Sequence, residues 1–202
     1  MDQLNQQLWA AVQQGDIDRV THLLLEGADI DATDSLGRTP AMIAIHTNQL
    51  EIFKLLIEQG ANIDIRDNRL DNPLLYAGAE GMLDFVKVAI AAGADTTILN
   101  RFGGTALIPA AERGHVDIVE ELLTTSDVNV NHINNLGWTA LLEAILLSDG
   151  GEAHQDIVQL LIDHGADVNL ADSEGVSPIQ HARRSGYQEI LDMLTKRAGK
   201  SG

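Results

Sequence analysis

The chain has 202 residues, of which 45% are hydrophobic, enough for one continuous core, and no Pro-, Gly- or Ser-rich linker divides it. The absence of cysteine excludes disulfide frameworks, thiolate zinc sites and cysteine nucleophiles. The formal net charge of -17 disfavours direct binding of DNA or RNA, because Lys and Arg are the residues that neutralise phosphates. The acidity either speeds the encounter with a basic partner or only keeps the protein dispersed.

The hydropathy of the chain gives no sign of a membrane segment. It contains no run of about 18 apolar residues, which a spanning helix needs. The residues after Met1 have neither the basic segment nor the apolar stretch of a signal peptide. We therefore expect a cytoplasmic protein without membrane contact.

The first predicted element is a helix pair over Gln3–Asp31, which begins with Leu4, Leu8, Trp9 and Val12 at helical spacing. It lacks the capping tetrapeptide that begins each later pair. The last predicted pair, near the other end of the chain, is also atypical. Both are expected to cover the ends of a stack against water.

A recurring tetrapeptide marks where the later pairs begin. Each copy starts with a side chain whose oxygen can cap a helix, and three copies place proline at the first helical position. Successive copies are 33, 33, 34 and 38 residues apart, and they begin at Thr39, Asn72, Thr105, Thr139 and Ser177.

Within each repeat the same order of elements is predicted. A short first helix is followed by a turn that contains glycine, at Gly15, Gly81, Gly114 and Gly186. A second helix with apolar residues at helical spacing follows. It ends at a glycine suited to a left-handed C-cap, at Gly27, Gly60, Gly93 and Gly165, before a loop rich in Asp, Asn and Gly.

A helix–turn–helix–loop unit of 33 residues with this capping tetrapeptide and this C-cap glycine resembles the ankyrin repeat. The segment Thr105–Leu123, TALIPAAERGHVDIVEELL, is close to the pattern of that family's helix pair. The family's usual histidine is replaced in every copy, by Met42, Leu75, Ile108, Leu142 and Gln180. The resemblance implies an all-α ankyrin-repeat solenoid of about six stacked helix–turn–helix units with hairpin-like loops.

We predict one domain over residues 1–202. Its repeats are predicted at approximately 3–33, 34–66, 67–99, 100–133, 134–171 and 172–198.

The sequence offers little catalytic chemistry. Its seven histidines form no HExxH pair, and no nucleophile elbow, phosphate loop or dinucleotide fingerprint is present. Most acidic residues recur at the same place in each repeat, which indicates a structural role, and His115 in its Gly-His turn is interpreted as structural too. We therefore expect no enzyme activity, no metal site and no cofactor.

The resemblance implies that two sets of variable positions line a concave face and the projecting loop tips. The candidate partner-binding residues at the tips are Leu36, Arg38, Arg69, Asp71, Phe102, Leu136 and Trp138, and those at the ends of the first helices are His46, Glu80, Glu112 and Arg113. The rings of Phe102 and Trp138 are candidate anchors, because aromatic residues are enriched in interface hot spots. The alternative is that each ring folds back and joins neighbouring loops.

An insertion separates the two helices of the fifth repeat, at Ser148–Gln155. We expect it either to lengthen the first helix or to bulge outward, as an added contact or as a loop variant without function.

The function predicted from these features is that of a monomeric, non-catalytic protein–protein interaction module that presents loop tips and a concave groove. Its partner is an unidentified protein, with a basic surface favoured by charge. The alternative is an enzyme or small-molecule-binding protein with a site between the repeats, using His46, Arg113 or nearby carboxylates.

Overall fold

The computed structural model describes residues 3–199, and within that range the chain forms twelve α-helices and no strand. In chain order the helices are α1 (Gln3–Gln14), α2 (Ile17–Leu25), α3 (Pro40–His46), α4 (Leu50–Glu58), α5 (Pro73–Glu80), α6 (Leu83–Ala91), α7 (Leu107–Glu112), α8 (Val116–Thr125), α9 (Ala140–Leu146), α10 (Glu152–Asp163), α11 (Pro178–Ser185) and α12 (Gln188–Ala198). The predicted all-α fold with six helix pairs is confirmed. None of these helices is both long and apolar enough to cross a membrane.

The chain divides into two compact units. The first comprises the chain up to Ala77 together with Met82–Asp95, and the second comprises Gly78–Gly81 together with the chain from Thr96. The division falls within α5. The single domain and the repeat boundaries given above stay predictions.

Within each unit, helices stack on their counterparts from the neighbouring repeat. In the first unit α1 packs on α3, and α4 packs on both α2 and α6. Phe53 of α4 is fully buried, and its ring centroid lies 5.4 Å from that of Phe85. In the second unit α9 packs between α7 and α11, and α10 between α8 and α12, with Leu122, Leu161 and Leu194 fully buried.

The predicted helix caps form in four of the five tetrapeptides. The side chain of Thr39 accepts a hydrogen bond from the Met42 amide at 3.2 Å, and Asn72, Thr139 and Ser177 accept the equivalent bond. Ser177 also forms a capping box with Gln180. Proline at the first helical position is confirmed in α3, α5 and α11.

The cap predicted at Thr105 does not form. Its Oγ1 is buried without a hydrogen-bond partner among the described residues, and α7 begins only at Leu107. The cause is Pro109, the residue after the tetrapeptide, which has no N–H to donate to the Thr105 carbonyl oxygen. In the other four copies the residue after the tetrapeptide makes this bond. The Ile108 amide makes a tighter turn and donates to that oxygen at 3.3 Å instead.

The turn glycines have left-handed backbones, and a side chain from the next repeat covers several of them. In the second unit His115 lies against Gly81, and its Nε2 donates to the Ala79 carbonyl oxygen at 3.1 Å. Tyr187 lies against Gly150 in the same way, and its hydroxyl donates to the Ser148 carbonyl oxygen at 2.6 Å. The predicted structural role of His115 is confirmed.

The insertion in the fifth repeat does not lengthen the first helix, so that part of the expectation was wrong. It lengthens the second helix, and the turn between the two helices has five residues, 147–151, against three at 47–49. α9 ends at Leu146, whereas α10 has 12 residues against nine in α4 and α6. The physical reason is His154, whose Nε2 donates to the Glu112 carbonyl oxygen at 3.0 Å, as His115 does one repeat earlier. The added turn of helix therefore places His154 over the turn of the preceding repeat, as His115 is placed one repeat earlier.

Candidate functional site

Five loops with one common structure carry the predicted tip residues. We call them the finger loops, and they are Asp34–Arg38, Asp67–Asp71, Asn100–Gly104, Asn134–Trp138 and Asp172–Val176. In each loop the first side chain is Asp or Asn, and its Oδ1 accepts hydrogen bonds from the third and fifth backbone amides, at 2.8 to 3.1 Å. The first amide donates to the fifth carbonyl oxygen. The loop backbone is therefore fixed by its own first residue.

The fourth residue of a finger loop needs a left-handed backbone. Glycine fills this place in four of the loops, at Gly37, Gly103, Gly137 and Gly175. In the loop Asp67–Asp71 the residue is Leu70, with a φ of 64° and 42% of its surface exposed. Such a backbone is strained for a leucine. The sequence signal was present, since Leu70 interrupts a recurring glycine, but it was not used.

The third and fifth positions of the finger loops differ in exposure. All five third residues are exposed, and large apolar side chains stand at three of them, Leu36, Phe102 and Leu136, with 54%, 53% and 54% exposure. All five fifth residues, including Arg38, Asp71 and Trp138, are partly or fully buried. The two sets of tip residues are therefore not equivalent.

Hydrogen bonds also join neighbouring finger loops within each unit. In the first unit the Asn68 amide donates to the Leu36 carbonyl oxygen at 3.0 Å. In the second unit the Asn135 amide donates to the Phe102 carbonyl oxygen at 2.9 Å, and His132 Nε2 donates to that of Gly103 at 2.7 Å. The backbones of Leu36 and Phe102 are thus held while their side chains remain in solvent.

In the first unit, Arg38 is part of the loop rather than a free tip. Its guanidinium donates two hydrogen bonds to Asp34 Oδ2, at 2.9 and 2.7 Å. Partial burial would raise the pKa of Asp34, but hydrogen bonds from the Arg38 side chain and from the Arg38 and Leu36 amides lower it below its usual value. These hydrogen bonds therefore stabilise the charged form of the Asp34 carboxylate.

His46 lies at the end of α3, and its ring is 4.1 Å from the ring of Tyr76. Its Nε2 is buried without a hydrogen-bond partner among the described residues. Burial lowers the pKa of His46, and the positive charges of Arg38 and Arg69 lower it further, although Asp67 and Asp34 oppose them. Three predicted site residues therefore lie close enough to interact electrostatically, namely His46, Arg38 and Arg69.

In the second unit, the two candidate rings have different environments. Phe102 is exposed, and the guanidinium carbon of Arg101 lies 4.5 Å from its ring centroid. Trp138 is only partly exposed, whereas Leu136 in the same loop is exposed. Whether either ring contacts a partner stays a prediction.

The predicted residues at the ends of α5 and α7 form an ion pair. Arg113 Nη1 lies 2.8 Å from Glu80 Oε1, with both side chains 46% exposed, and it also donates to the Ala79 carbonyl oxygen at 2.7 Å. Because the pair is exposed, we assign it little stabilising energy. Glu112, the residue before Arg113, is half-buried.

A buried glutamate in α9 was missed in the sequence. Glu143 is 5% exposed, and its Oε1 accepts a hydrogen bond from Asn134 Nδ2 at 2.7 Å. One repeat later the same two positions hold Asp172 and His181, whose Oδ2 and Nε2 are 2.7 Å apart. The signal was an ionisable side chain in a helix flanked on both sides by apolar residues.

A cleft of about 530 Å³ lies elsewhere in the second unit, between α10 and α12. Ile162 and Met193 line it together with Asp163, Asp192 and other polar side chains, and no predicted site residue takes part. Within residues 3–199 no cluster of three or more His, Asp or Glu side chains is suited to hold a metal ion.

Comparisons with known proteins agree with this architecture. The sequence pattern described as ankyrin repeats (3 copies) matches residues 8–99 and 74–172. The chain is 43% identical over 184 residues to the ankyrin repeat protein YahD of Escherichia coli (strain K12), covering 91% of this chain and 92% of that protein.

Two solved structures are also similar. An ankyrin repeat domain from Acinetobacter baumannii AYE has a TM-score of 0.92 and 49% identity, with 95% of this chain and 97% of that chain covered. The ankyrin repeat protein EF0377 has a TM-score of 0.91 and 39% identity, with 95% and 98% covered. With the helix pairs, the finger loops and these similarities together, the chain belongs to the ankyrin repeat family.

Proposed function

We propose that this protein is a non-catalytic module that binds another protein through its finger loops and the ends of its first helices. The ankyrin repeat fold is generally a protein–protein interaction module. More specifically, Leu36 in the first unit and Phe102 and Leu136 in the second unit make the principal contacts with the partner.

The observation that carries this proposal is the contrast between fixed loop backbones and exposed apolar side chains. Each of these three side chains is more than half exposed on a loop whose amides are already hydrogen-bonded. Exposed apolar groups on a preformed surface lose little conformational entropy when they are covered by a partner. A loop that served only as a connection would need no leucine or phenylalanine there.

The charge of the chain supports a partner with a basic surface. With 30 acidic and 13 basic side chains, the protein attracts cationic surfaces and repels nucleic acid. We propose that the protein meets this partner in the cytoplasm as a monomer, and that neither a membrane nor a nucleic acid takes part.

The alternative of a catalytic or small-molecule site between repeats has less support. Arg113 is engaged by Glu80 and by a carbonyl oxygen, and the ring of His46 packs on Tyr76. The cleft between α10 and α12 contains neither residue.

The test begins with affinity capture and cross-linking from the native lysate, and continues with the captured protein in purified form. Its affinity is measured for the parent chain and for the double variant Phe102→Ala, Leu136→Ala. We expect binding to weaken about 30-fold, or about 2 kcal/mol, the scale of interface hot spots. The unfolding midpoint of the free variant should change little, because both side chains are exposed.

The matched control is Leu25→Ala, which removes an 82% exposed leucine at the end of α2, outside the finger loops. It should leave the affinity unchanged. Equal affinities for the double variant and the parent chain would contradict the proposed contact surface. Trp138→Ala, measured separately, distinguishes an anchor, which lowers affinity, from a joint between loops, which lowers the unfolding midpoint.

A further inference from the structure

The finger loop Asn134–Trp138 is held by an amide side chain, and a buried carboxylate orients that amide. Asn134 Oδ1 accepts from the backbone amides of Leu136 and Trp138, at 3.0 and 3.1 Å. The Nδ2 group of the same side chain donates to Glu143 Oε1 at 2.7 Å. Asn134 and Glu143 are both buried, so water does not substitute readily for either bond.

The charge of Glu143 sets how strongly the Asn134 amide is held. An ionised carboxylate only accepts hydrogen bonds, so it pairs with Nδ2 and leaves Oδ1 for the loop amides. A protonated carboxyl group accepts the Nδ2 hydrogen bond more weakly, and its own O–H can donate to Oδ1. Oδ1 is then less firmly placed and is shared between the carboxyl group and the loop amides, so the bonds that fix Leu136 and Trp138 weaken.

The other finger loops do not share this arrangement. In three of them the first residue is aspartate, whose two equivalent oxygens need no orientation, at Asp34, Asp67 and Asp172. Asn100 is the other amide, and the position that corresponds to Glu143 in its repeat is Pro109, which has no ionisable group. Among the described finger loops, the combination of amide and carboxylate therefore occurs in Asn134–Trp138 alone.

Ionisable groups lie on all three helices packed against α9, and one of them, Glu112, adds to the effect of burial on the pKa of Glu143. Burial raises the pKa of Glu143, the negative charge of Glu112 on α7 raises it further, and the Asn134 hydrogen bond opposes both, for a value of about 7. On α11, His181 engages Asp172 at 2.7 Å. On α10, His154 donates to the Glu112 carbonyl oxygen at 3.0 Å. The carboxyl group therefore changes its charge near neutral pH.

We propose that Glu143 is a positioning residue for the finger loop Asn134–Trp138, and that protonation of its carboxylate loosens the bonds that hold the backbone of this loop. The proton comes from water, and no other group is required. Leu136 would then contact the partner more weakly at lower pH, and this consequence rests on the proposed function. The response of the loop to pH does not depend on the proposed function.

The experiment follows the backbone amide signals of Leu136 and Trp138 by NMR in the free full-length protein, between about pH 5 and about pH 9. We expect both signals to shift with one midpoint at about 7. Their exchange with solvent, corrected for the intrinsic pH dependence, should be faster below the midpoint, where their bonds to Asn134 Oδ1 are weaker. The amides of Glu174 and Val176, held by Asp172 in the next loop, serve as the internal reference.

Two variants complete the test. Glu143→Gln remains neutral at every pH, so its Leu136 and Trp138 signals should lose the titration and match the acid form of the parent chain. Glu112→Gln keeps the titration but should lower its midpoint, since a neighbouring negative charge has been removed. Amides that do not titrate in the parent chain, or that titrate equally in Glu143→Gln, would overturn the proposal. Because no partner is involved, this result is independent of whether the proposed binding function holds.

Discussion

Ionising Glu143 costs free energy in the folded chain, because burial and the charge of Glu112 disfavour its carboxylate. Its pKa is raised from 4.5 to about 7, so between these values the folded chain binds a proton that the unfolded chain has released. This contribution to stability is complete below the unfolded value and is lost as pH rises to about 7.

The variant Glu143→Gln should therefore be more stable than the parent chain in alkaline solution. We expect its unfolding midpoint to be higher by at least about 2 °C at about pH 8, and to differ little at about pH 4.5, where the parent carboxyl group is protonated in the folded chain and about half protonated in the unfolded chain. Thermal unfolding at the two pH values measures the difference. A constant difference at both values would contradict the raised pKa.

Leu70 gives a second prediction about a single residue. Its left-handed backbone is strained, and Leu70→Gly removes the strain, although glycine gains entropy in the unfolded chain. We expect a net stabilisation on the order of 1 kcal/mol, seen as a higher unfolding midpoint. Asn48→Gly is the matched control, because asparagine tolerates the same backbone, with a φ of 56°, and should give a smaller gain. Equal or opposite effects would remove the case for strain at Leu70.

The second helices are held partly by the side chains that cover the preceding turns. His115 precedes α8 and His154 lies in the added turn of α10, and each donates a hydrogen bond to a carbonyl oxygen of the previous repeat. These bonds explain why an insertion was accommodated by lengthening α10. The added residues keep His154 at the place that His115 occupies one repeat earlier.

We therefore predict that His154→Ala and His115→Ala destabilise the chain by similar amounts. Each loses one hydrogen bond, worth about 1 kcal/mol, and the unfolding midpoint should fall by about 2–4 °C. His22→Ala, which removes a histidine exposed on α2, should have little effect. An unchanged midpoint for His154→Ala would mean that the added turn of helix is not structural.

The helices were predictable from the sequence because capping residues and turn glycines act locally. Thr39 and Ser177 cap their helices as their side chains require. The exception, Thr105, depended on Pro109 four residues later, which removes the backbone donor on which the cap geometry relies. The position of the insertion could be predicted, but not the helix that absorbed it, because that depended on a contact with the previous repeat.

At the scale of the whole molecule, charge should govern the rate of association. With a net charge of -17, the protein attracts a basic partner over long distances, and salt screens this attraction. We predict that the association rate constant with the captured partner falls by roughly tenfold or more from low to high salt, while the dissociation rate changes less. Stopped-flow or surface measurements at several salt concentrations test this. A rate independent of salt would exclude a basic binding surface.

The candidate surface could be predicted only in part. The sequence locates the variable positions on the finger loops, since they differ between copies of a regular pattern, and their role in binding stays a prediction. Sequence alone could not separate the exposed Leu36 and Phe102 from the partly buried Arg38 and Trp138, because the direction of a side chain depends on loop geometry. Glu143 was missed because its raised pKa depends on burial in the fold and on Glu112 of the preceding repeat.

The pairing of a turn glycine with a covering side chain also limits how the repeats can diverge. Gly81 and His115 belong to different repeats, as do Gly150 and Tyr187, and a methyl group added to Gly81 would lie 2.8 Å from the imidazole. Gly186 has no such neighbour. If a repeat bounded by two finger loops were duplicated or moved, its turn glycine would meet a new neighbouring repeat. The fold would then require that this neighbour supplies a ring or amide side chain of suitable size to cover the glycine.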